Sequence, residues 1–212
     1  MSSTAESEHW ETSYVTKPTN GVSWWQDPDA LWYDLITSTG VGLESPIVDM
    51  GSGSSVLIDA LVGAGYQHIT AVDLSATALG VTRTRLGAAG SNVNFVVADA
   101  RTFRSREPVQ VWHDRAVFHF LTSPADRQAY LDSMRANVAP GGHVIVATFA
   151  EDGPEQCSGL PVQRYDGPTL VSALGADSWT LRLSERRTHT TPWGAEQPFT
   201  IVHVQRSDAE DR

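Results

Sequence analysis

Short apolar segments alternate along the chain with longer stretches whose apolar residues recur at helical spacing. The apolar segments predict β-strands, and the longer stretches predict amphipathic helices. The predicted strands are residues 47–50 (IVDM), 69–75 (ITAVDLS), 93–98 (VNFVVA), 109–114 (VQVWHD) and 143–149 (HVIVATF). The predicted helices between them are residues 56–62, 76–86 and 126–138. This order of elements is typical of βαβ units.

Strands that alternate with helices predict a parallel sheet with helices on its faces. Residues 143–149 are apolar on both faces, as expected of a central strand. The last two predicted strands, residues 178–186 and 198–206, have no helix between them and predict an antiparallel hairpin at one edge. We therefore predict an α/β fold: a Rossmann-like, doubly wound, mostly parallel sheet with a C-terminal antiparallel hairpin. Such sheets bind ligands outside the carboxyl ends of their strands.

The polar ends of the chain lie outside this pattern. Residues 1–8 are predicted to form a disordered N-terminal tail and residues 207–212 a C-terminal tail, which leaves residues 9–206 as a single domain. A chain of 212 residues that is 41% hydrophobic is long enough for one domain with a core and short for two. We expect a monomer or a homodimer.

The charge balance and the single cysteine argue against several kinds of partner. The net charge is −10, and no window supplies the basic stripe that a phosphate backbone requires, so we expect no nucleic acid partner. No apolar run approaches the ~20 residues that cross a bilayer, and the acidic N-terminus does not resemble a signal peptide. We therefore expect a soluble, cytoplasmic protein with no membrane partner. Cys157 alone cannot build a disulfide framework or a multi-cysteine zinc site, and no metal is predicted.

The loop after the first predicted strand reads DMGSGSS and is the first candidate ligand site. Gly51 and Gly53 allow the backbone to turn tightly and to approach a ligand closely. A dinucleotide-binding fingerprint needs a third glycine at the position of Val56, so a nicotinamide cofactor is disfavoured.

Asp49 ends the first strand two residues before Gly51, and this makes the loop similar to the first motif of class I, Rossmann-like S-adenosylmethionine (SAM) methyltransferases. The resemblance implies that Asp49 and the glycine loop pack against the methionine half of SAM. It also implies that Ser54 or Ser55 donates a hydroxyl to the SAM carboxylate and that S-adenosylhomocysteine (SAH) is the product.

Two further carboxylates, Asp73 and Asp99, end the second and third predicted strands. A carboxylate at Asp73 can accept hydrogen bonds from both ribose hydroxyls. The resemblance implies that Asp99 lies near the adenine amino group, although Asp99 could equally cap the following turn. Their neighbours Leu74 and Ala100 are predicted to belong to the same cofactor site.

Two stretches, residues 9–26 and 111–134, resemble thiopurine and tellurite methyltransferase-like enzymes. In that family a tryptophan-rich N-terminal segment folds over SAM, which implies that Trp25 is an aromatic wall of the cofactor site, with a core anchor as the alternative. His113, in the second stretch, is predicted to contact the cofactor as well. The second stretch also carries the Asp-Arg pair of that family and an Asp-Arg-x-x-Tyr helix start. The chain departs from the family pattern at Ser55, at His119 and in residues 151–167.

The candidate catalytic residues follow the fourth predicted strand. An amine or hydroxyl acceptor must lose a proton to a nearby base, whereas a thiolate or carboxylate acceptor need not. His119 is predicted as that base, with a core histidine as the alternative. Arg115 is predicted to bind an anionic acceptor group and Asp114 the methionine ammonium, unless the two only pair with each other. We favour the anionic acceptor.

Four more residues are predicted to contact the acceptor. Arg164 and Tyr165 lie in the loop after the fifth strand, and His189 and Trp193 lie in or beside the turn of the closing hairpin. His189 has an exposed turn residue as its alternative interpretation.

These features predict a SAM-dependent methyltransferase that acts on a small-molecule nucleophile (a thiol, a carboxylate or an amine) in a lidded pocket. A protein methyltransferase, acting on lysine or an N-terminal amine, is the alternative; it suits the acidic balance and requires an open acidic groove. A non-catalytic SAM-binding module is disfavoured because Asp49, Gly51, Gly53 and Asp73 are all present. A nicotinamide-dependent reductase is disfavoured by Val56.

Overall fold

The computed structural model describes residues 3–16, 21–23, 25 and 30–207. The strands of its main sheet are β1 (Ile47–Met50), β2 (Ile69–Asp73), β3 (Val93–Val97), β4 (Val109–Arg115), β5 (Val138–Phe149), β8 (Trp179–Thr190) and β9 (Glu196–Arg206). Two short strands, β6 (Gln156–Cys157) and β7 (Leu160–Pro161), form a separate hairpin. The helices are α1 (Ser3–Thr16), α2 (Ala30–Thr37), α3 (Leu57–Gly63), α4 (Ala76–Leu86), α5 (Pro124–Asn137) and α6 (Gly167–Leu174).

The main sheet has the strand order β3-β2-β1-β4-β5-β9-β8. Strands β1 to β5 are parallel, and β9 pairs antiparallel with both β5 and β8. The predicted doubly wound sheet and its closing hairpin are therefore confirmed, with β8 at the edge. The strand order reverses between β1 and β4, where sheets of this type bind ligands. Asp49 lies opposite His113 in this pair of strands.

Alternate residues of the central strands pack on two different helical layers, because successive side chains of a strand point to opposite faces. On one face, Trp112 packs in a core that includes Tyr130 of α5 and Leu170 of α6. On the other face, Val111 and Ile145 pack with residues of α2 and α3. Each layer thus supports one face of the same strands and fixes which side chains of β4 face α2.

The structure differs from the sequence prediction at several places. Residues 3–8, predicted as a disordered tail, form the first half of α1 because their polar side chains bind the ends of β2 and β3, as described below. Strand β5 begins at Val138, the last residue of a predicted helix, and therefore starts before the predicted strand of residues 143–149. Gly142 suits this segment because a Cβ there would lie 2.9 Å from the carbonyl oxygen of Ala139. Residues 208–212 of the predicted tail lie outside the described residues. In the part of the chain described, no helix is long and apolar enough to cross a membrane.

Candidate active site

A cavity of about 590 Å³ lies at the carboxyl ends of the parallel strands, beside the reversal between β1 and β4. This volume is in the range of pockets that enclose small organic ligands. Asp73 and Asp99 line it on the side of β2 and β3, whereas His113 and Arg115 of β4 and Trp32 of α2 line it on the other side. The two sides therefore offer different chemistry to a ligand.

Helix α1 covers the side of the cavity next to β2 and β3. Ser7 Oγ donates to the carbonyl oxygen of Leu74, 3.2 Å away. Glu11 accepts a hydrogen bond from Ser75 Oγ at 2.7 Å and further bonds from the backbone and hydroxyl of Thr77. The bonds from Ser75 and Thr77 lower the pKa of Glu11. Polar contacts at the start of α4 thus hold α1 as a lid over the cavity, and Trp10 of this lid lines it.

A second attachment of the lid is an ion-pair cluster around Arg101. Its guanidinium donates to Asp99 at 2.6 Å, to Glu6 of α1 at 2.5 Å and to Asp126 of α5 at 2.9 Å. The Asp99 hydrogen bond is the main reason why the pKa of Arg101 rises further above its usual value. Asp99 also accepts the backbone N–H of Arg101, so it caps the turn after β3 in addition to lining the cavity.

Asp73 ends β2 with a buried carboxylate. Its Oδ2 accepts the N–H of Gly53 and its Oδ1 the N–H of Ser75, both at 2.8 Å. Burial raises the pKa of Asp73 to about 6 in spite of these bonds, so the group is mostly ionised at pH 7. A carboxylate has about four lone-pair sites, so Asp73 retains the capacity to accept two hydroxyls.

The glycines after β1 are required by close packing. Gly51 and Gly53 have φ of +68° and +55°, a region that side chains strongly disfavour. A Cβ at Gly51 would overlap Val117, and a Cβ at Gly53 would overlap the hydroxyl of Tyr14 on the lid. The loop is therefore shaped both by the residues after β4 and by α1.

Asp49 and His113 form a buried pair at the reversal of strand order. Asp49 Oδ1 lies 2.6 Å from His113 Nδ1, and both side chains are almost fully buried. The His113 ring also lies against Trp32, with ring centroids 5.4 Å apart. Both members of the pair line the cavity.

Arg115 follows on the same face of β4. Its guanidinium lies 5.6 Å from the ring centroid of Trp32 and 5.8 Å from that of Phe199, distances at which a cation is attracted to an aromatic face. The next residue, Ala116, has φ of +68° and also lines the cavity. Residues with such an unfavourable backbone conformation are concentrated at active sites and ligand-binding sites, so Ala116 is consistent with a functional site at the end of β4.

The structure brings together most of the predicted cofactor residues. Those that line the cavity are Trp25, Asp49, Gly51, Ser55, Asp73, Leu74, Asp99, Ala100 and His113, together with Arg115 from the predicted catalytic set. Gly53 lies under the lid, next to Tyr14. Residues 17–20, 24 and 26 of the predicted covering segment lie outside the described residues.

Two predicted catalytic residues are placed elsewhere. Asp114 points to the opposite face of β4, where it accepts the hydroxyl of Tyr130 at 2.5 Å, and burial raises its pKa to about 6. His119 is fully buried, with its ring 4.4 Å from that of Phe120 and 4.8 Å from that of Phe149. Burial lowers the pKa of His119 to about 3. Neither residue lines the cavity, so the alternative of a core histidine applies to His119.

The four predicted acceptor residues also lie outside the cavity walls. Tyr165 is buried and stacked on Phe118, and Arg164 donates to Gly153 and to Glu155. His189 contacts the carbonyl oxygen of Ser23 at 2.8 Å, and Trp193 is 61% exposed in the hairpin turn. Because β9 pairs antiparallel with β5, the hairpin turn lies at the carboxyl end of the sheet, as predicted, but at its β8 edge, beside the cavity and not in its wall.

Sequence reasoning missed several residues of the site. Cys157, Leu160 and Pro161 line the cavity through the β6–β7 hairpin, in a segment predicted as a loop. Trp32 of α2 was also missed, although the run ALWYDLIT has the spacing of an amphipathic helix. Arg101 was adjacent to the predicted residue Ala100, and its basic charge two residues after Asp99 was an available signal.

Three polar atoms of residues that line the cavity are buried without a hydrogen-bond partner among the described residues. Asp49 Oδ2, Ser52 Oγ and His113 Nε2 have no hydrogen-bond partner within the described part of the chain. Buried polar atoms in native proteins are nearly always satisfied, so this group indicates a polar ligand. Together with Asp73 and the aromatic lid, Asp49 Oδ2 and Ser52 Oγ fit SAM, a ligand with a charged amino-acid end and a hydroxylated, planar end.

Comparison with known proteins identifies the class. The family described as "Methyltransferase domain" matches residues 47–142. A ubiquinone biosynthesis O-methyltransferase of Aromatoleum aromaticum is 26% identical over 180 residues, which cover 85% of this chain and 68% of that protein. The chain is a SAM-dependent methyltransferase.

Other relatives of this methyltransferase differ in their acceptors. A ribosomal protein L11 methyltransferase of Citrifermentans bemidjiense is 36% identical over 119 residues, 56% of this chain and 37% of that protein. The 1,6-didemethyltoxoflavin-N1-methyltransferase of Burkholderia thailandensis, solved with SAH, has a TM-score of 0.72 at 20% identity and aligns over 98% of this chain and 92% of its own. A structure on thioacetal formation in echinomycin biosynthesis has a TM-score of 0.77 at 19% identity, with 96% and 94% coverage. The two structures agree with the class I SAM methyltransferase fold.

Proposed function

We propose that this methyltransferase methylates a small aromatic molecule, bound beside Trp32 and Arg115 on the β4 side of the cavity. The observation that carries the proposal is the cavity itself. One continuous space is lined by the carboxylate Asp73 under the lid and by the cation Arg115 at the end of β4. A cofactor on the first side would therefore face an acceptor on the second without a barrier between them.

The residues under the lid would hold SAM. Asp73 would accept the ribose hydroxyls, and the loop from Gly51 to Ser55 would surround the methionine half. Bound SAM supplies an electrophilic methyl group on a sulfonium. Trp10 and Trp25 would exclude water from that charge, and aromatic faces near a cation contribute about 0.5–2 kcal/mol.

The β4 side would bind and orient the acceptor. Methyl transfer depends mainly on alignment of the reacting atoms, so a fixed anchor is the main requirement. Arg115, held against Trp32 and Phe199, can bind a carboxylate or another anion with charge-assisted hydrogen bonds. The flat walls suit an aromatic ring.

This acceptor class is compatible with the names of the relatives. They include O-methyltransferases of ubiquinone biosynthesis and an N-methyltransferase that binds 1,6-didemethyltoxoflavin. A heteroaromatic thiolate, as the thiopurine-like resemblance implies, would use the same walls and the same cation. The proposed class of small aromatic acceptors therefore includes oxygen, nitrogen and sulfur as the atom that is methylated.

A protein acceptor is the second candidate, since a ribosomal protein methyltransferase is 36% identical over 56% of the chain. Such an acceptor would place a cationic lysine or amino group near Arg115. Like charges repel, so the β4 side is poorly suited to it.

The test is SAH formation from SAM with 4-hydroxybenzoate, 4-mercaptobenzoate, phenol and a lysine-containing peptide, measured by mass spectrometry. We expect turnover of the two benzoates, slower turnover of phenol and none of the peptide. Arg115→Gln should raise the KM for the benzoates and leave that for phenol unchanged. Methylation of the peptide alone would contradict the proposal.

A further inference from the structure

In the buried pair Asp49–His113, only one of the two histidine ring nitrogens has a hydrogen-bond partner in the described part of the chain. Nδ1 of His113 lies 2.6 Å from Asp49, whereas Nε2 has no hydrogen-bond partner in the described ranges. An ionised carboxylate is only an acceptor, so the short contact requires the proton to be on Nδ1. In the neutral ring, Nε2 then carries a lone pair and is able to accept a proton.

The position of this nitrogen relates it to the proposed acceptor. His113 and Arg115 are two residues apart on one face of β4, and both line the cavity. Two residues along a strand span about 6.6 Å. A molecule whose anionic group binds Arg115 could therefore present a second polar group at His113.

We propose that His113, oriented by Asp49, is the general base that takes the proton from an O–H or N–H acceptor. This rests on the proposed function, since it requires the acceptor to bind beside Arg115. It also specifies the substrate class: a small aromatic molecule with an anionic group and, across its ring, a hydroxyl or amine that is protonated at neutral pH. His119 is then not needed as a base.

The step balances without a further reactant. The acceptor oxygen or nitrogen forms a bond to the methyl carbon, and the bond from that carbon to sulfur breaks with its electron pair on sulfur. The acceptor proton passes to Nε2 of His113, and Asp49 stabilises the resulting imidazolium before the proton leaves to solvent. Asp49 is a positioning residue in this scheme, because it acts through His113.

The kinetic test uses a matched pair of acceptors. At pH 8, 4-hydroxybenzoate keeps its phenolic proton, whereas 4-mercaptobenzoate is largely a thiolate. His113→Asn keeps a donor for Asp49 and removes Nε2, and a positioned base is worth about 10²–10⁴-fold in rate. We expect His113→Asn to lower kcat for 4-hydroxybenzoate by about 10²-fold or more and to leave kcat for 4-mercaptobenzoate nearly unchanged. The control is His68→Asn, which changes a half-exposed histidine outside the cavity.

Equal losses for the two acceptors, or no loss, would overturn the proposal. SAH affinity, measured by calorimetry, should be the same in His113→Asn and wild type. A loss of tenfold or more would instead assign His113 to the cofactor.

A second measurement does not depend on turnover. Nitrogen-15 NMR of the histidine rings should show His113 protonated at Nδ1 alone, and Asp49→Asn should abolish that preference. A neutral ring protonated at Nε2 would refute the base assignment. If no acceptor is methylated, the proposed function fails, and the base assignment, which rests on it, fails with it. If the benzoates are methylated but His113 is not protonated at Nδ1 alone, only the base assignment fails.

Discussion

Replacing Glu6 with glutamine should loosen the lid. Glu6 Oε2 lies 2.5 Å from Arg101, and the two side chains are 21% and 10% exposed. Hydrogen bonds that involve a charged group contribute about 1.5–3 kcal/mol. Because Arg101 keeps Asp99 and Asp126 as partners after the substitution, we take the lower limit of about 1.5 kcal/mol, which is about tenfold in an equilibrium constant.

The open form of the lid should therefore gain about tenfold in Glu6→Gln, and SAH should dissociate about ten times faster. Stopped-flow tryptophan fluorescence can follow this because Trp10 and Trp25 line the cavity. Glu8→Gln is the matched control, since Glu8 is exposed on the same helix. Added salt should reduce the difference between Glu6→Gln and wild type. Equal dissociation rates for the two variants at low salt would refute the role of the Glu6–Arg101 pair.

Three further substitutions test other parts of the structure. Asp73→Ala should weaken SAM binding by about tenfold or more, because it removes a charged acceptor of hydroxyls, and unchanged affinity in calorimetry would exclude Asp73 from the site. Gly53→Val should also weaken SAM binding, since its side chain meets the hydroxyl of Tyr14 and requires an unfavourable φ; normal affinity in a folded variant would contradict the packing argument. Burial, with the neighbouring His143, lowers the pKa of His203 to about 4, so below about pH 6.5 the unfolded chain binds this proton more readily than the folded protein does. Wild type should thus lose stability between pH 6.5 and 4, and urea titrations of His203→Gln should show a smaller loss; an identical pH dependence would contradict the pKa shift.

The sheet and the cofactor loop could be predicted because they depend on local pattern. Short apolar segments predicted β1 to β5, and Gly51 and Gly53 marked the loop after β1. The strand period of two could have separated His113 and Arg115 from Asp114, since neighbours on a strand face opposite ways. Applied to β4, this alternation would have predicted that Asp114 lies on the face opposite His113 and Arg115, which is the face that packs against α5.

The lid could not be predicted in the same way. Helix α1 has no clear apolar face, and it is held by Glu6, Ser7 and Glu11, whose partners are 64 or more residues away in the chain. Contacts at that separation leave no local periodicity in the sequence. The same applies to His119, whose burial depends on how the turn after β4 packs on Phe149.

The attachments of α1 have a consequence for how the protein gains its structure. Contacts across such long stretches of chain form only after the sheet has brought their partners together, because closing a long loop costs entropy before any contact forms. The first helix should therefore dock last during folding and detach first under native conditions, as a separate cooperative unit. Amide hydrogen exchange in residues 3–16 should accordingly be faster than in β1 or β4 and should slow when SAH binds.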